Sequence, residues 1–393
     1  MILTNKQEEA LRIAVERYRA GAPYTCISGY AGSGKSTVVS FIIQALELYP
    51  EEVAYVAYTG KAAKVLSQKG CPNATTAHKL LYWASPTREG KYIFKPKPRL
   101  EGRLKVIVVD EVSMLPSSMW NLLLSHKVYV LACGDPGQLP PINPNDDNHV
   151  LDNPHIFLDE IMRQAQESEI IRLSMHVREG NPISTFNCSN EQVKILSPNE
   201  LVTGVYTWAD QILCATNERR NQINHLVREL KGFGPDPQIG DKVISLKNHW
   251  DEICIASRNP LTNGTIGELQ SYDKSLLRLP YGIHPNNSMP IITSTIKAED
   301  GDEFYSLMLD YNALAYGTKF LDNRQEYLLS KKTGSAPYEF VYGYGITTHK
   351  AQGSEWPRVL VFEERFPFAQ EEHKRWLYTA CTRASEKLVL VTK

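Results

Sequence analysis

The sequence predicts an α/β fold built on parallel sheets flanked by helices, and three observations carry that expectation. First, Gly29-Tyr30-Ala31-Gly32-Ser33-Gly34-Lys35-Ser36 fits G-x-x-x-x-G-K-[ST] at every fixed position. It stands between a short apolar run, Tyr24–Ser28, and an amphipathic stretch, Thr37–Leu48, so strand, loop and helix follow one another. Second, Leu104–Val109 and Val128–Ala132 are continuous apolar runs, as strands buried on both faces of a parallel sheet should be. Third, polar segments follow those runs directly: Asp110-Glu111-Val112-Ser113 after one, and Gly134-Asp135-Pro136-Gly137-Gln138 after the other. In an open α/β sheet such strand C-terminal loops form the ligand-binding edge.

Taken in order, the chain opens with a helix over Asn5–Arg19, ended by Gly21 and Pro23. Gln7 either pairs with the N6 donor and N7 acceptor of adenine or faces solvent near the helix start. In the loop itself, Gly29, Ala31, Gly32, Ser33 and Gly34 turn backbone N–H groups toward a polyphosphate as an anion-binding nest. The helix beginning at Lys35 adds the positive end of its dipole. Lys35 would reach the β- and γ-phosphates and the Ser36 hydroxyl would ligate Mg²⁺, with Thr37 completing the nucleotide-facing set.

A second strand, Val53–Tyr58, runs into Thr59-Gly60-Lys61 and a helix to Gln68, and Thr75-Thr76-Ala77-His78 opens another helix. Thr59, Lys61, Lys64, Thr76 and His78 then serve as phosphate donors, or else as caps and solvated surface groups. Residues 83 to 104 change character. Between Lys91 and Lys105 stand six basic residues and one acidic one, Glu101, with Tyr92 and Phe94 interleaved. That mixture suits backbone neutralisation and base stacking on a hairpin, or a solvated excursion with an aromatic anchor.

A buried strand ending in Asp-Glu is the second half of a phosphate-loop hydrolase site. Asp110 would hold Mg²⁺ through its water shell, and Glu111 would orient and deprotonate the attacking water. Gln138 sits just past the next strand, where a side chain that bonds the γ-phosphate could couple its loss to movement.

Composition narrows the class without naming a partner. A net charge of −1 neither advertises nor excludes nucleic acid, since a basic groove can sit on a neutral protein. The seven cysteines form no C-x-x-C pair and are odd in number, which argues against a disulfide framework or zinc site. The first residues read as a charged amphipathic helix rather than a signal peptide, and no apolar run approaches a membrane span. A cytoplasmic location, the host cytoplasm for a viral protein, is the expectation.

The ordered motifs resemble superfamily 1 DNA helicases of the B type, the RecD- and Dda-like group, and the likeness continues through the second half. Phe157–Gln164 (FLDEIMRQ) is similar to the segment carrying that family's first arginine finger, which implies Arg163. Ile212–Arg219 (ILCATNER) resembles its strand-and-Asn segment, which implies Asn217 at the nucleic acid. Gly343–Gly353 (GYGITTHKAQG) resembles the motif that touches both ligands. There Thr347, His349 and Lys350 would face DNA, and Gln352, Gly353 and Glu355 the nucleotide. Tyr378–Arg383 (YTACTR) resembles the last motif, whose arginine, here Arg383, is the second finger.

The resemblance implies two RecA-like P-loop cores. The first would cover 1–155, with a strand-separating pin inserted at 83–104. The second would cover 156–240 and 340–393, around an SH3-like β insertion at 241–339. Phe94 falls at the pin aromatic, with Tyr92 as its competitor. ATP and Mg²⁺ are the implied cofactors. Single-stranded DNA and single-strand/duplex junctions are the implied partners, with no membrane. A monomer, alone or beside a single-strand-binding or replication protein, would couple hydrolysis to 5′→3′ translocation and unwinding. Two rivals remain: a P-loop switch, which needs no second-lobe arginines, and a binding protein with a degenerate site, which would lack Lys35 or Glu111.

Overall fold

A computed structural model describes residues 3–86, 92–140, 148–162, 166–257, 259–365 and 369–392, with the backbone alone at 84–86, 92–93 and 250–251. The chain divides into two compact units. One comprises Met1–Tyr82, Pro96–Glu200 and Ala351–Lys393, the other Trp83–Lys95 and Leu201–Lys350. The division crosses the lobe boundary expected at 155/156, because segment 351–393 joins the unit that holds the phosphate loop.

In that first unit, α1 (Asn5–Arg19) starts on a capping box. Thr4 Oγ1 accepts from the Gln7 N–H at 3.4 Å, and Gln7 Oε1 accepts from the Thr4 N–H at 3.1 Å. The following strands are β1 (Tyr24–Gly29), β2 (Val53–Ala57), β3 (Thr75–Thr76), β4 (Tyr82–Pro86), β5 (Tyr92–Pro96), β6 (Val106–Val109), β7 (Tyr129–Gly134) and β8 (Ile156–Leu158). Strands β4 and β5, whose residues 83–95 belong to the second unit, pair with each other, whereas the other six form one sheet of the first unit in the order β3-β2-β6-β7-β1-β8. Every neighbouring pair in that sheet is parallel.

Both faces of the sheet are covered, which is why its strands read as unbroken apolar runs. Ala10 and Ala14 of α1 and Val38 and Ile42 of α2 (Lys35–Ala45) pack on Ile27, Val106 and Leu131. On the opposite face Leu81 of α4 (Ala77–Leu81) and Met119, Trp120 and Leu123 of α5 (Ser117–Ser125) pack on Val56, Ile107 and Val130. At about 1.5–3 kcal/mol for each large apolar side chain removed from water, these two layers hold the edge that carries the motifs. The same unit contains parallel strands Val193–Leu196, Ala384–Val391 and Trp356–Phe362. Helices Glu169–Arg178 and Gln370–Cys381 pack together beside them.

The second unit joins a small parallel pair to a mainly antiparallel sheet. Gln211–Cys214 pairs with Gly345–Thr347, and helix Asn217–Leu230 lies on them. The sheet runs Asp273–Arg278, Ser288–Ala298, Ile266–Leu269, Lys242–Ser245, Phe340–Tyr342, with Glu303–Asp310 also paired to Ser288–Ala298. The β character expected for 241–339 is met by these strands up to Asp310. Two helices were not foreseen, Tyr311–Tyr316 and Asn323–Thr333. Their signals are local. Asp310 caps the first by accepting from the Asn312 and Ala313 N–H groups. Asp322 and Gln325 make a capping box on the second, and Gly334 ends it at φ 87°.

Candidate nucleotide-binding and hydrolysis site

The phosphate loop connects the C-terminus of β1 to α2. Gly34, the residue before the helix, has φ 79°, and a Cβ there would lie 2.4 Å from Gln7 Nε2, so only glycine fits. Gly32 shares the left-handed conformation at φ 79°. A Cβ on Gly29 would lie 2.6 Å from Ser33 Oγ and 2.9 Å from Leu158 Cβ, so β8 closes one side of the loop. Lys35 Nζ donates to the carbonyls of Gly29 at 2.7 Å and Tyr30 at 3.0 Å, which keeps the ammonium over the loop. Ser36 is exposed and Thr37 half-buried in the first turn of α2.

Gln7 is almost fully buried. Its carboxamide is already occupied at both ends: Oε1 serves the helix cap, while Nε2 donates to the Ser33 carbonyl at 3.1 Å and approaches Met162 Sδ at 3.0 Å. Pairing with adenine would exchange these contacts rather than fill unused ones. The ring of Tyr30 carries the Arg178 guanidinium at 3.5 Å.

Asp110 and Glu111 follow β6. One Asp110 oxygen, Oδ1, accepts from the Glu111 N–H at 3.0 Å, leaving Oδ2 for a ligand. Glu111 adopts the left-handed region, φ 49° and ψ 50°, which costs a non-glycine residue about 1–2 kcal/mol. Strain of that kind persists where the surroundings hold a functional side chain in place. Burial pushes the Glu111 carboxyl up to about 6; Arg383 and Lys35 pull it down, and Asp110 and Asp135 add to the rise. A carboxylate with that value is suited to taking a proton near neutral pH.

Arg383 is buried and held on every side of its guanidinium. Nε donates to the Thr379 carbonyl, Nη1 to the Ser354 carbonyl and Nη2 to Thr382 Oγ1, each at 3.1 Å. Nη1 also stands 3.9 Å from Glu111 Oε1. Gly353, at φ 72°, presses on the same carboxylate: a Cβ there would lie 3.2 Å from Glu111 Oε2 and 3.3 Å from Thr59 Oγ1. Glu111 Oε2 and Ser33 Oγ are buried without a hydrogen-bond partner among the described residues. Orphaned polar atoms beside a lysine, an arginine and a glycine cradle fit a polyphosphate and its attacking water.

The loop after β7 is joined to the same wall. Gln138 is half-buried; Gln352 Nε2 donates to the Leu139 carbonyl at 2.9 Å, and the Leu139 N–H donates to Thr379 Oγ1 at 2.9 Å. Glu355 is exposed. Arg163 lies outside the described residues. Sequence reasoning did not single out Tyr378, Thr379 or Asp135 individually, although all three stand within or beside the motifs it quoted.

The nucleic-acid candidates divide between the units. In the first, Thr59 caps α3 (Gly60–Gln68) by accepting from the Ala62 N–H, and Thr76 caps α4 by accepting from the Lys79 N–H. A hydroxyl that accepts in a cap keeps its own proton for donation. Lys61 Nζ lies 4.3 Å from the Trp356 ring centre. His78 packs between Tyr58 and Tyr82, and burial lowers its pKa, which favours the neutral ring.

In the second unit Phe94 is half-buried, and the Tyr92 side chain is outside the described residues. Asn217 starts its helix and accepts from Arg220 at 3.0 Å. Thr347, His349 and Lys350 are half-buried. Burial lowers the His349 pKa, and burial with the neighbouring Arg220 lowers that of Lys350, whose Nζ donates to Asn263 Oδ1 at 2.5 Å.

Comparison with known families bears on the whole assembly. A family model described as an AAA domain matches residues 2–199, just over half of the chain. The chain belongs to the AAA-domain family. A UvrD-like helicase C-terminal domain matches residues 342–391. The chain also resembles RecD- and Dda-like DNA helicases. It is 25% identical to the ATP-dependent RecD2 DNA helicase of Deinococcus radiodurans over 94% of its own length and 47% of that protein. It is 31% identical to the ATP-dependent DNA helicase dda of Enterobacteria phage T4 over 37% of its length and 34% of that protein. The chain thus spans less than half the length of these curated relatives.

Among solved structures, Pif1 helicase from Candida albicans aligns at TM-score 0.53 and 20% identity, covering 100% of this chain and 95% of that one. Pif1 helicase from Bacteroides in complex with ADP-AlF3 and ssDNA aligns at TM-score 0.53 and 15% identity, covering 100% and 93%. This likeness is one of fold. No described helix is long and apolar enough to cross a membrane.

Proposed function

We propose that the chain is an ATP-driven DNA helicase that moves 5′→3′ on single-stranded DNA and opens duplex ahead of it. The observation that carries the hydrolytic half is the meeting at Glu111 of a buried, unpartnered carboxylate oxygen, the loop lysine and the tethered Arg383. In this reading Glu111 takes a proton from water as the water oxygen bonds the γ-phosphorus and the bond to the ADP oxygen breaks. Lys35 and Arg383 balance the charge that develops on the phosphoryl oxygens. Ser36 and the second Asp110 oxygen would hold Mg²⁺, which would neutralise phosphate charge when bound.

Arg163 is the companion finger and Gln138 the γ-phosphate sensor. The relatives are helicases, and one fold neighbour is a complex with ssDNA, which supports single-stranded DNA as the partner. The lobes in this reading are 1–155 and 156–240 with 340–393, the pin is 83–104 and the SH3-like insertion 241–339. Thr59, Lys61, Thr76, His78, Asn217, Thr347, His349 and Lys350 contact the strand. The protein acts as a monomer.

The test has two steps. ATPase rate is measured with and without single-stranded DNA, then strand displacement on duplexes bearing a 5′ or a 3′ tail. Strong stimulation with a 5′-tail requirement supports the reading. A DNA-indifferent ATPase would favour the P-loop switch instead.

A further inference from the structure

Tyr378, on the helix Gln370–Cys381, is buried, and its hydroxyl joins two loops of the proposed ATP site. It accepts from the Ala31 N–H at 2.8 Å and donates to Asp135 Oδ2 at 2.6 Å. The other Asp135 oxygen accepts from the Gly137 N–H at 2.9 Å. The ring edge closes on the same place, since a Cβ on Gly137 would lie 3.1 Å from Tyr378 Cε1. Gln138 is therefore fixed from both flanks: through Gly137 and Asp135 on one side, and through Leu139, Thr379 and Gln352 on the other.

Ala31 belongs to the nest whose N–H groups the phosphate loop offers to a polyphosphate. One N–H cannot serve both a phenol oxygen and a phosphate at full strength. We propose that Tyr378 is a positioning residue that competes with bound phosphate for the Ala31 N–H, so that loading of the loop is transmitted through Asp135 to the Gln138 segment. When phosphate accepts from the Ala31 N–H instead, the phenol keeps its bond to Asp135, and the helix that leads into Arg383 is no longer tied to the phosphate loop at that point. Burial and the Asp135 carboxylate hold the phenol protonated throughout the neutral range, so it remains the donor on this side of the chain of bonds.

This inference rests on the ATPase reading, and its test separates the two. The probe is mant-ADP, titrated into wild type, Tyr378→Phe and Asp135→Asn, with steady-state ATPase and thermal melting recorded on each. Tyr378→Phe keeps the ring and removes only the competitor, so mant-ADP should bind about fivefold tighter, the equivalent of one ordinary hydrogen bond. Its kcat should fall about tenfold, because the link to Gln138 is lost. Asp135→Asn leaves the hydroxyl on Ala31 and should lower kcat without tightening binding. Unchanged mant-ADP affinity in Tyr378→Phe overturns the competition. Weaker binding with a lowered melting point overturns it too, reducing Tyr378 to a packing residue. If wild type itself binds no mant-ADP, the ATPase reading has failed instead.

Discussion

The phosphate-loop site of one unit and the Arg228–Asp241 cluster of the other treat buried polar groups in opposite ways. Around the phosphate loop, Ser33 Oγ and Glu111 Oε2 are buried without partners among the described residues, and Glu111 is held in a strained backbone conformation. In the second unit the deepest charges are saturated by their own chain. Asp241 is fully buried; it takes two bonds from Arg228, one from the Tyr344 hydroxyl and one from the Gln238 N–H. Asn224 likewise donates to the carbonyls of Tyr342 and Gly345 and accepts from the Gly345 N–H. Polar burial around the phosphate loop leaves room for a ligand, whereas polar burial in the Arg228–Asp241 cluster serves the fold. That contrast can be broken experimentally, because the same kind of substitution should have different consequences in the two places.

Lys35→Ala should give the largest effect, with ATPase activity falling to background while the melting temperature stays within a degree or so of wild type. Among the described residues the lysine donates hydrogen bonds only to loop carbonyls, so its loss removes charge from the phosphates without opening the core. Normal turnover in this variant would sink the site assignment.

Glu111→Gln should lower kcat roughly 10³-fold, within the range for a lost general base, and still bind ATP. Stability should move the other way. The folded carboxyl is raised from 4.5 to about 6, so the folded state binds the extra proton between those values. Ionisation therefore opposes folding, and stability declines as pH rises through that window, by about 2 kcal/mol in all. The glutamine variant should escape this penalty and outlast wild type in urea at pH 7.5, with the difference gone at pH 4. In wild type, kcat/KM should fall as pH drops below about 6. A variant less stable than wild type at pH 7.5 would contradict the buried, ligand-directed character of this group.

Arg228→Ala supplies the counterpart in the second unit. Leaving Asp241 buried and unpaired should cost about 3–5 kcal/mol, read as a lowered urea midpoint. At a temperature where the variant remains folded, mant-ADP affinity should be unchanged. Replacing both partners, Arg228→Met with Asp241→Leu, should recover most of the loss. A change in nucleotide affinity without a change in stability would reverse the contrast between the units.

How much of this was legible follows the same contrast. The parallel sheet was readable because its strands are buried on both faces and each ends in a motif, and α1 matched its expected span of Asn5–Arg19. The candidates Lys35, Glu111 and Arg383 could be named from sequence because phosphate chemistry asks for those types there, or because the family motif carried them, and the structure brings them together. Tyr378 was not readable, since a tyrosine in the buried last turns of a helix looks like core until its hydroxyl is seen on Ala31. In the second unit the expected β character was right for the strands but hid the helices Tyr311–Tyr316 and Asn323–Thr333. Only their caps, Asp310, Asp322 with Gln325, and Gly334, announced them, and such caps are short-range signals within a strand-rich background. The Arg228–Asp241 pair spans 13 residues and crosses from helix to sheet edge, which periodicity cannot reveal.

The smallest expected effect concerns the hairpin of β4 and β5. Phe94 lies on β5, whereas Lys35, Glu111 and Arg383 are positioned by the phosphate loop, by the end of β6 and by the turn that follows the helix Gln370–Cys381. If the aromatic acts on duplex alone, Phe94→Ala should reduce strand displacement several-fold, since one base–aromatic stack is worth about 1–3 kcal/mol. Single-stranded-DNA-stimulated ATPase should stay near wild type. The comparison is sharpened by making Tyr92→Ala in parallel, because the competing aromatic on the same strand should show the smaller loss if Phe94 is the tip. Equal losses of unwinding and ATPase in Phe94→Ala would mean that the hairpin supports the motor itself. The pin assignment would then fall while the nucleotide site, which rests on different residues, would stand.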